Sequence, residues 1–169
     1  MRQLYAIGLG GNRRHGRHGE PRAVLAAALK ALTADGDIQL VARSAVIDTP
    51  PLGPGTRRFA NAAALIATDL DPPALLARVK RLERAFGRRR GRRWGDRVLD
   101  IDLLLWSGGA WRSRALTIPH PGLPLRRFVL APMLAIAPRW PVATEARGLR
   151  HLHDRLTRAR LPHKAAHRA

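Results

Sequence analysis

Residues 92–106 read RRWGDRVLDIDLLLW, a run that sets Asp100 and Asp102 inside an otherwise apolar stretch. In a strand, side chains two apart leave the same face. Both carboxylates then point one way, roughly 6–7 Å apart, while Leu99, Ile101 and Leu103 point the other. Two carboxylates about 5 Å apart repel by about 3 kcal/mol at an effective dielectric near 20, so a cation must lie against them. Either an arginine or a metal ion would serve. Six arginines (Arg88, Arg89, Arg90, Arg92, Arg93, Arg97) crowd the segment just before the pair.

Outward from this strand, the chain of 169 residues has room for one domain with a proper core. It contains no cysteine, which excludes disulfides, thiolate nucleophiles and thiolate metal sites. The opening MRQLYAIGLGGN has too short an apolar run for a secretory signal, and no stretch reaches the length of a membrane span. A cytoplasmic location is expected. The net charge of +19 asks for an anionic partner. Lysine stands only at Lys30, Lys80 and Lys164, so nearly all the basic residues are arginine, a skew of codon-bias type in a chain rich in Ala, Leu and Pro. Position therefore carries more information than total charge.

Gln3 to Leu9 reads as a buried first strand, and the following glycines as a tight turn. Pro21 to Ala34 has helical spacing, with Leu25, Ala28, Leu29 and Leu32 on one stripe. Ile38 to Thr49 is β-branched and runs into the stiff Pro50-Pro51-Leu52-Gly53-Pro54-Gly55 loop; Phe59 to Thr68 resumes strand character. Asp71 is placed to cap a helix whose stripe Leu75, Val79, Leu82, Phe86 ends at Gly87. Residues 87–97 read as a mobile surface loop. After Leu99 to Trp106, a short strand near Ala115 to Ile118 leads to Pro119-His120-Pro121, and Phe128 to Ile136 reads as a short helix or turn. Leu149, Leu152 and Leu156 give one or two amphipathic turns near a basic end that is partly disordered. Residues 1–145 form the expected domain and 146–169 a basic C-terminal extension. The spacing does not fit a doubly wound sheet; an α+β sandwich, with helices on a mainly antiparallel sheet, is predicted.

Gly8-Leu9-Gly10-Gly11-Asn12 invites a dinucleotide-binding reading, which fails because Arg13 holds the sixth position and no acidic residue follows at a suitable distance. For Asp100 and Asp102, one reading is a pair salt-bridged to the neighbouring arginines. The other is a Mg²⁺ site, since magnesium commonly takes one or two carboxylates plus substrate phosphates. The arginine-rich segment would then clamp a polyphosphate, because guanidinium forks bind phosphate bidentately. Phe59 and Asn61 share a strand face: either a core phenylalanine with an edge asparagine, or an aromatic plate and an amide for a flat heteroaromatic ring, with Phe128 as the second plate. His120, held between prolines and a few residues before Arg126, is placed to donate to a phosphate oxygen.

The stretches GLGGN (8–12), DTPPLG (48–53), FANAA (59–63), LERAFGRRR (82–90), RRWGDRVLDIDLLLW (92–106) and LTIPHPGLPLRRFVLAPM (116–133) occur together and in this order. Over about residues 5–140 the chain resembles the 6-hydroxymethyl-7,8-dihydropterin pyrophosphokinases of folate biosynthesis. The resemblance implies a ferredoxin-like α+β sandwich that moves a pyrophosphoryl group from ATP to the pterin alcohol and releases AMP. It implies Asp100 and Asp102 as ligands of two Mg²⁺ ions, and Arg88, Arg90 and Arg97 as arginines of the catalytic segment, with Arg88 and Arg97 catalytic and Arg90 and Arg97 on ATP. Trp94 resembles a tryptophan that moves with that segment onto the pterin. Phe59 and Phe128 resemble the pterin's two plates, while Asn61 and the Thr49, Pro50 and Leu52 segment resemble the groups reading its polar edge. Glu83, His120 and Arg126 resemble ATP-side contacts. The family usually has Ser at Gly11, often Tyr at Phe59, and Pro at Asp96, whose carboxylate could compete for Arg97. The implied protein is a cytoplasmic monomer acting on small molecules. Two rivals stand beside it: a basic nucleic-acid-binding domain, supported by charge alone, and a pterin- and ATP-binding relative without turnover.

Overall fold

Strand β1 (Gln3–Gly11) lies at the centre of a sheet whose order is β2-β4-β1-β5, with every neighbouring pair antiparallel. It pairs with β4 (Phe59–Thr68) and β5 (Asp100–Trp106), while β2 (Ile38–Arg43) pairs with the other edge of β4 and the three-residue β3 (Ile47–Thr49) adds to the end of β4. The computed structural model describes residues 2–51, 56–87, 96–140 and 148–158. Helices α1 (Pro21–Leu32) and α2 (Pro72–Ala85) complete a β1-α1-β2-β4-α2-β5 order, the α+β sandwich expected from the element pattern in the ferredoxin-like arrangement that the family resemblance implies. Asp71 caps α2 as predicted, its carboxylate accepting from Ala74 N at 2.8 Å.

Two separate cores flank the sheet. Tyr5, Ile7, Leu9, Ile66, Ile101 and Leu103 pack with Leu25, Leu29, Leu75 and Val79 from α1 and α2. Ala6, Ala63, Leu65, Leu104 and Leu105 pack on the other face against Leu130 and Met133 of α3 (Arg127–Ile136) and Leu149 and Leu152 of α4 (Gly148–Arg158). The α4 helix thus extends beyond the one or two turns expected; its Leu149 and Leu152 are fully buried and its Leu156 is half-buried. Pro132 lies inside α3, where its missing N–H leaves the Phe128 carbonyl without an intrahelical donor. A two-stranded hairpin, β6 (Trp111–Arg112) and β7 (Thr117–Ile118), and a 3₁₀ turn at Leu123–Leu125 lead from β5 to α3.

Three boundaries differ from the sequence reading for physical reasons. The run 38–49 splits into β2 and β3, because Ser44 turns its backbone N–H and hydroxyl onto Ala63 instead of continuing the ladder. The glycines at 8, 10 and 11 are strand residues with no positive φ, so β1 continues where a turn was expected. In β5, period two holds through Leu103. A register shift opposite Ala6 and Ile7 then places Leu104 and Leu105 together in the second core.

Candidate active site

On the face toward α3, β5 presents Asp100 and Asp102, both partly exposed, as the alternation predicted. The same face of β4 carries Phe59 and Asn61. Gly10 of β1 stands between them, paired with Asn61 on one side and with Asp100 on the other. Gly8 repeats this one step along, opposite Ala63 and Asp102. An aromatic–amide pair and a carboxylate pair therefore face the same space across a strand that has no side chains there.

The amide is fixed. Asn61 is buried, and its Nδ2 donates to Thr49 Oγ1 at 2.8 Å, leaving Oδ1 turned toward Gly10. Thr49 pairs with Phe59 in the β3–β4 register, and Pro50 follows it at the surface. Arg22 of α1 steadies this short strand, donating to Val46 O at 3.0 Å and Asp48 Oδ2 at 2.6 Å.

The carboxylates are compensated by arginine, as one of the two readings required. Arg97 donates to Asp100, and Arg126 Nη1 stands 3.9 Å from Asp102 Oδ2. Arg97 is itself held through its backbone by buried Asn12, which accepts from Arg97 N at 2.7 Å and donates to Arg97 O at 2.9 Å. A Cβ at Gly11 would collide with the Val98 carbonyl, so the absence of a side chain there lets residues 97 and 98 close onto β1. Asp96 does not take Arg97: its carboxylate accepts from Asn12 Nδ2 at 2.7 Å and lies 3.4 Å from Arg57 Nη1.

His120 N donates to Leu104 O at 2.9 Å, which ties the segment after β7 to β5. Its Nδ1 accepts from Gly122 N at 3.0 Å, so the proton of the neutral ring sits on Nε2. Burial lowers the His120 pKa below the usual histidine value; Asp102 and Asp100 oppose the shift, while Arg126 and Lys80 reinforce it. Phe128 lies in the first turn of α3, with the Arg126 guanidinium 6.0 Å from its ring centre.

Beside Asp102, along the free edge of β5, lies a cavity of about 280 Å³ lined by Leu76, Lys80, Arg114, Thr117 and His120 among others. Fully buried Glu83 lies behind two of its lining residues, accepting from Ile101 N at 2.8 Å and holding Lys80 Nζ 3.0 Å from both carboxylate oxygens. Sequence reading missed Lys80, Arg114 and Thr117. The i,i+3 spacing of Lys80 and Glu83 was the one available signal; the other two come from the hairpin, which no periodicity marks.

Arg88, Arg90, Trp94 and Leu52 lie outside the described residues. Among the described residues no three His, Asp or Glu side chains cluster as a metal cage. A metal at Asp100 and Asp102 would draw its remaining ligands from water and substrate. The donor set suits a hard cation of that kind: two carboxylates on one strand face, oxygen donors only, beside cations that also bind phosphate. His15 and His18 stack on each other and on Phe86, with centroids 4.7 Å and 4.9 Å apart for His15–His18 and His18–Phe86, away from this face.

Residues 6–138 match the family described as 7,8-dihydro-6-hydroxymethylpterin-pyrophosphokinase (HPPK). The chain belongs to the HPPK family. A 2-amino-4-hydroxy-6-hydroxymethyldihydropteridine pyrophosphokinase of Methylorubrum extorquens is 44% identical over 133 residues, covering 78% of this chain and 81% of the relative. One from Haemophilus influenzae is 42% identical over 118 residues, covering 69% and 74%. Among solved structures, an HPPK-DHPS in complex with substrates shares the fold with a TM-score of 0.71 at 12% identity; the match covers 94% of this chain and 44% of that one. Wild-type Plasmodium falciparum HPPK-DHPS gives 0.69 at 13% identity, covering 92% and 45%. This chain therefore spans less than half the length of those solved chains. HPPK membership does not favour the nucleic-acid reading of the basic charge, and no helix among the described residues is long and apolar enough to cross a membrane.

Proposed function

We propose that this HPPK chain transfers the pyrophosphoryl group of ATP to 6-hydroxymethyl-7,8-dihydropterin, giving the pterin diphosphate and AMP for folate biosynthesis, in the cytoplasm and as a monomer. The row Asn61–Gly10–Asp100 carries the assignment. It sets a ring-reading amide and a phosphate-side carboxylate on one sheet face, with open floor between them. Residues 1–145 supply every group assigned here.

The pterin ring lies between Phe59 and Phe128, its polar edge on Asn61 Oδ1 and on Thr49, Pro50 and Leu52, with Trp94 closing over it. The nucleoside of ATP takes the cavity by Leu76 and Thr117, whose Lys80 is held by Glu83, so that its phosphates run past Lys80 and His120 toward the two aspartates. Asp100 and Asp102 would hold Mg²⁺, two ions by family resemblance, whose charge offsets the polyphosphate when bound.

The pterin hydroxymethyl oxygen attacks the β-phosphorus; the bond from that phosphorus to the α,β-bridging oxygen breaks, and AMP leaves with the electron pair. Arg97, Arg126, Arg88 and Arg90 donate to phosphate oxygens whose charge grows during transfer, and the His120 Nε2–H does so without adding charge of its own. The alcohol proton passes to a site carboxylate or to solvent. Positioning and charge compensation do most of what such a transfer needs, which suits a site without a thiol nucleophile.

Incubation with ATP, Mg²⁺ and the pterin, followed for AMP, tests the assignment. Wild type should release AMP only when the pterin is present, and Asp100→Ala and Asp102→Ala should each lose at least about 100-fold in kcat. Equal AMP from Asp100→Ala would remove the metal assignment. No AMP from wild type would leave a pterin- and ATP-binding relative without turnover.

A further inference from the structure

Gly10 lies in the middle of β1, and its φ is not positive, so its backbone conformation does not require glycine. Packing presses at one point: among the described residues a Cβ there would have two neighbours within 4 Å, Asn61 Oδ1 at a tight 3.0 Å and Ala60 O at 3.9 Å. The other strand glycines differ. A Cβ at Gly8 would meet the buried Leu104 side chain at 3.3 Å, and one at Gly11 would strike the Val98 backbone. Glycine at 8 and 11 thus serves packing, while at Gly10 the atom that needs the space is an acceptor of the proposed site.

The amide that carries this acceptor is already half committed, through its Nδ2. Thr49 Oγ1 holds Asn61 Nδ2, so the amide cannot turn away to make room for a new methyl without giving up its 2.8 Å hydrogen bond. Directly paired residues on adjacent strands point to the same face. Asn61, position 10 and Asp100 therefore form one row, and its ends stand about two strand spacings apart, ~10 Å. Glycine in the middle leaves that span bare.

We propose that Gly10 is a specificity-determining position: its missing side chain opens Asn61 Oδ1 to a donor on a flat heterocycle and provides the floor over which the heterocycle's alcohol arm reaches the phosphate held at Asp100. The proposal rests on the pterin reading of the site. It assigns the pterin's fit to the strand floor as well as to the aromatic plates. A methyl at position 10 sits in the plane where the donor must approach, yet leaves the nucleotide cavity on the far side of Asp102 untouched.

The experiment measures Gly10→Ala and Gly10→Ser for steady-state kinetics, and for binding of 6-hydroxymethyl-7,8-dihydropterin in the presence of a nonhydrolysable ATP analogue. Expected are a rise of tenfold or more in KM and Kd for the pterin, ATP KM within twofold of wild type, and a Tm lowered by no more than the loss of the Asn61–Thr49 hydrogen bond accounts for. The serine variant should be the worse, because its hydroxyl can donate to Asn61 Oδ1 and occupy it. In an Asn61→Ala background, Gly10→Ala should add less than twofold; that background also removes the one close neighbour, so the comparison survives if the single variant folds poorly. Wild-type pterin affinity in Gly10→Ala, an equal loss of ATP affinity, or an additive effect in the Asn61→Ala background would overturn the proposal. Absent turnover by wild type with pterin binding intact would sink the reaction instead, and the binding arm would still decide Gly10.

Discussion

Asn12 and Arg97 hold each other through two hydrogen bonds, Arg97 N donating to Asn12 Oδ1 at 2.7 Å and Asn12 N donating to Arg97 O at 2.9 Å, and Arg13 N adds a second donor to that carbonyl at 3.2 Å. The Arg97 side chain then continues to Asp100. A buried asparagine at the end of β1 thereby sets where the guanidinium beside the carboxylate pair can stand. Asn12→Ala should cost about 1–3 kcal/mol of stability by leaving buried donors and acceptors unpaired. It should lower kcat more than it raises either KM. Urea unfolding and kinetics check this together; unchanged kcat in a destabilised variant would limit Asn12 to a structural role.

Lys80 is held at the cavity wall by Glu83, with its ammonium 3.0 Å from both carboxylate oxygens. If the nucleotide lies there, Lys80→Met should raise ATP KM about tenfold, the worth of one charge-assisted hydrogen bond, and leave the pterin KM near wild type. Glu83→Gln should instead lower Tm first, because Glu83 is fully buried and caps Ile101 N. A Lys80→Met effect on the pterin alone would relocate the nucleotide.

His120 contributes a pH dependence whose sign follows from its lowered pKa. Burial keeps the folded ring neutral, so on acidification the unfolded chain takes up the proton first, near the ordinary value of 6.5. Stability from this group is whole above pH 6.5 and is lost as the pH falls through the lower, folded value. Thermal unfolding of wild type and His120→Gln between pH 4.5 and 8, on the order of the range that brackets histidine titration, should give curves that converge on acidification. A constant gap would contradict the shift.

Much of this could be read from the chain, and the exceptions have identifiable causes. Period two in DIDLLLW fixed which face carries Asp100 and Asp102, and it failed only past Leu103, where the bulge adds a residue that no sequence pattern marks. Asn61 and Phe59 were legible for the same reason. The second core was not. Ala6 and Ala63 give it little apolar signal on the sheet side, and α3 carries a proline that argues against a helix until Leu130 and Met133 are seen buried against β5 and α4. Glycines 8, 10 and 11 looked like a turn because turns and bare strand floors use the same residue. Asp96 looked like a rival for Arg97; its actual partners, Asn12 and Arg57, come from distant parts of the chain.

Tyr5, the single tyrosine, offers a check on the first core. Its hydroxyl donates to Leu70 O at 2.8 Å, and burial, helped by Asp71, pushes its pKa up to about 12. The stability it supplies is intact below pH 10 and lost as the pH rises from there toward 12. Phenolate absorbance should therefore stay absent as the folded protein passes pH 10 and emerge only with loss of the near-ultraviolet circular dichroism. A midpoint near 10 in the folded protein would place the ring in water.

The most direct test of the central claim is a phosphorus-31 spectrum of the complete reaction with ATP, Mg²⁺ and 6-hydroxymethyl-7,8-dihydropterin. Transfer of an intact diphosphoryl group predicts AMP and a pterin diphosphate in equal amounts, with two coupled resonances on the pterin product. ADP with a singly phosphorylated pterin, or free pyrophosphate with unmodified pterin, would contradict it.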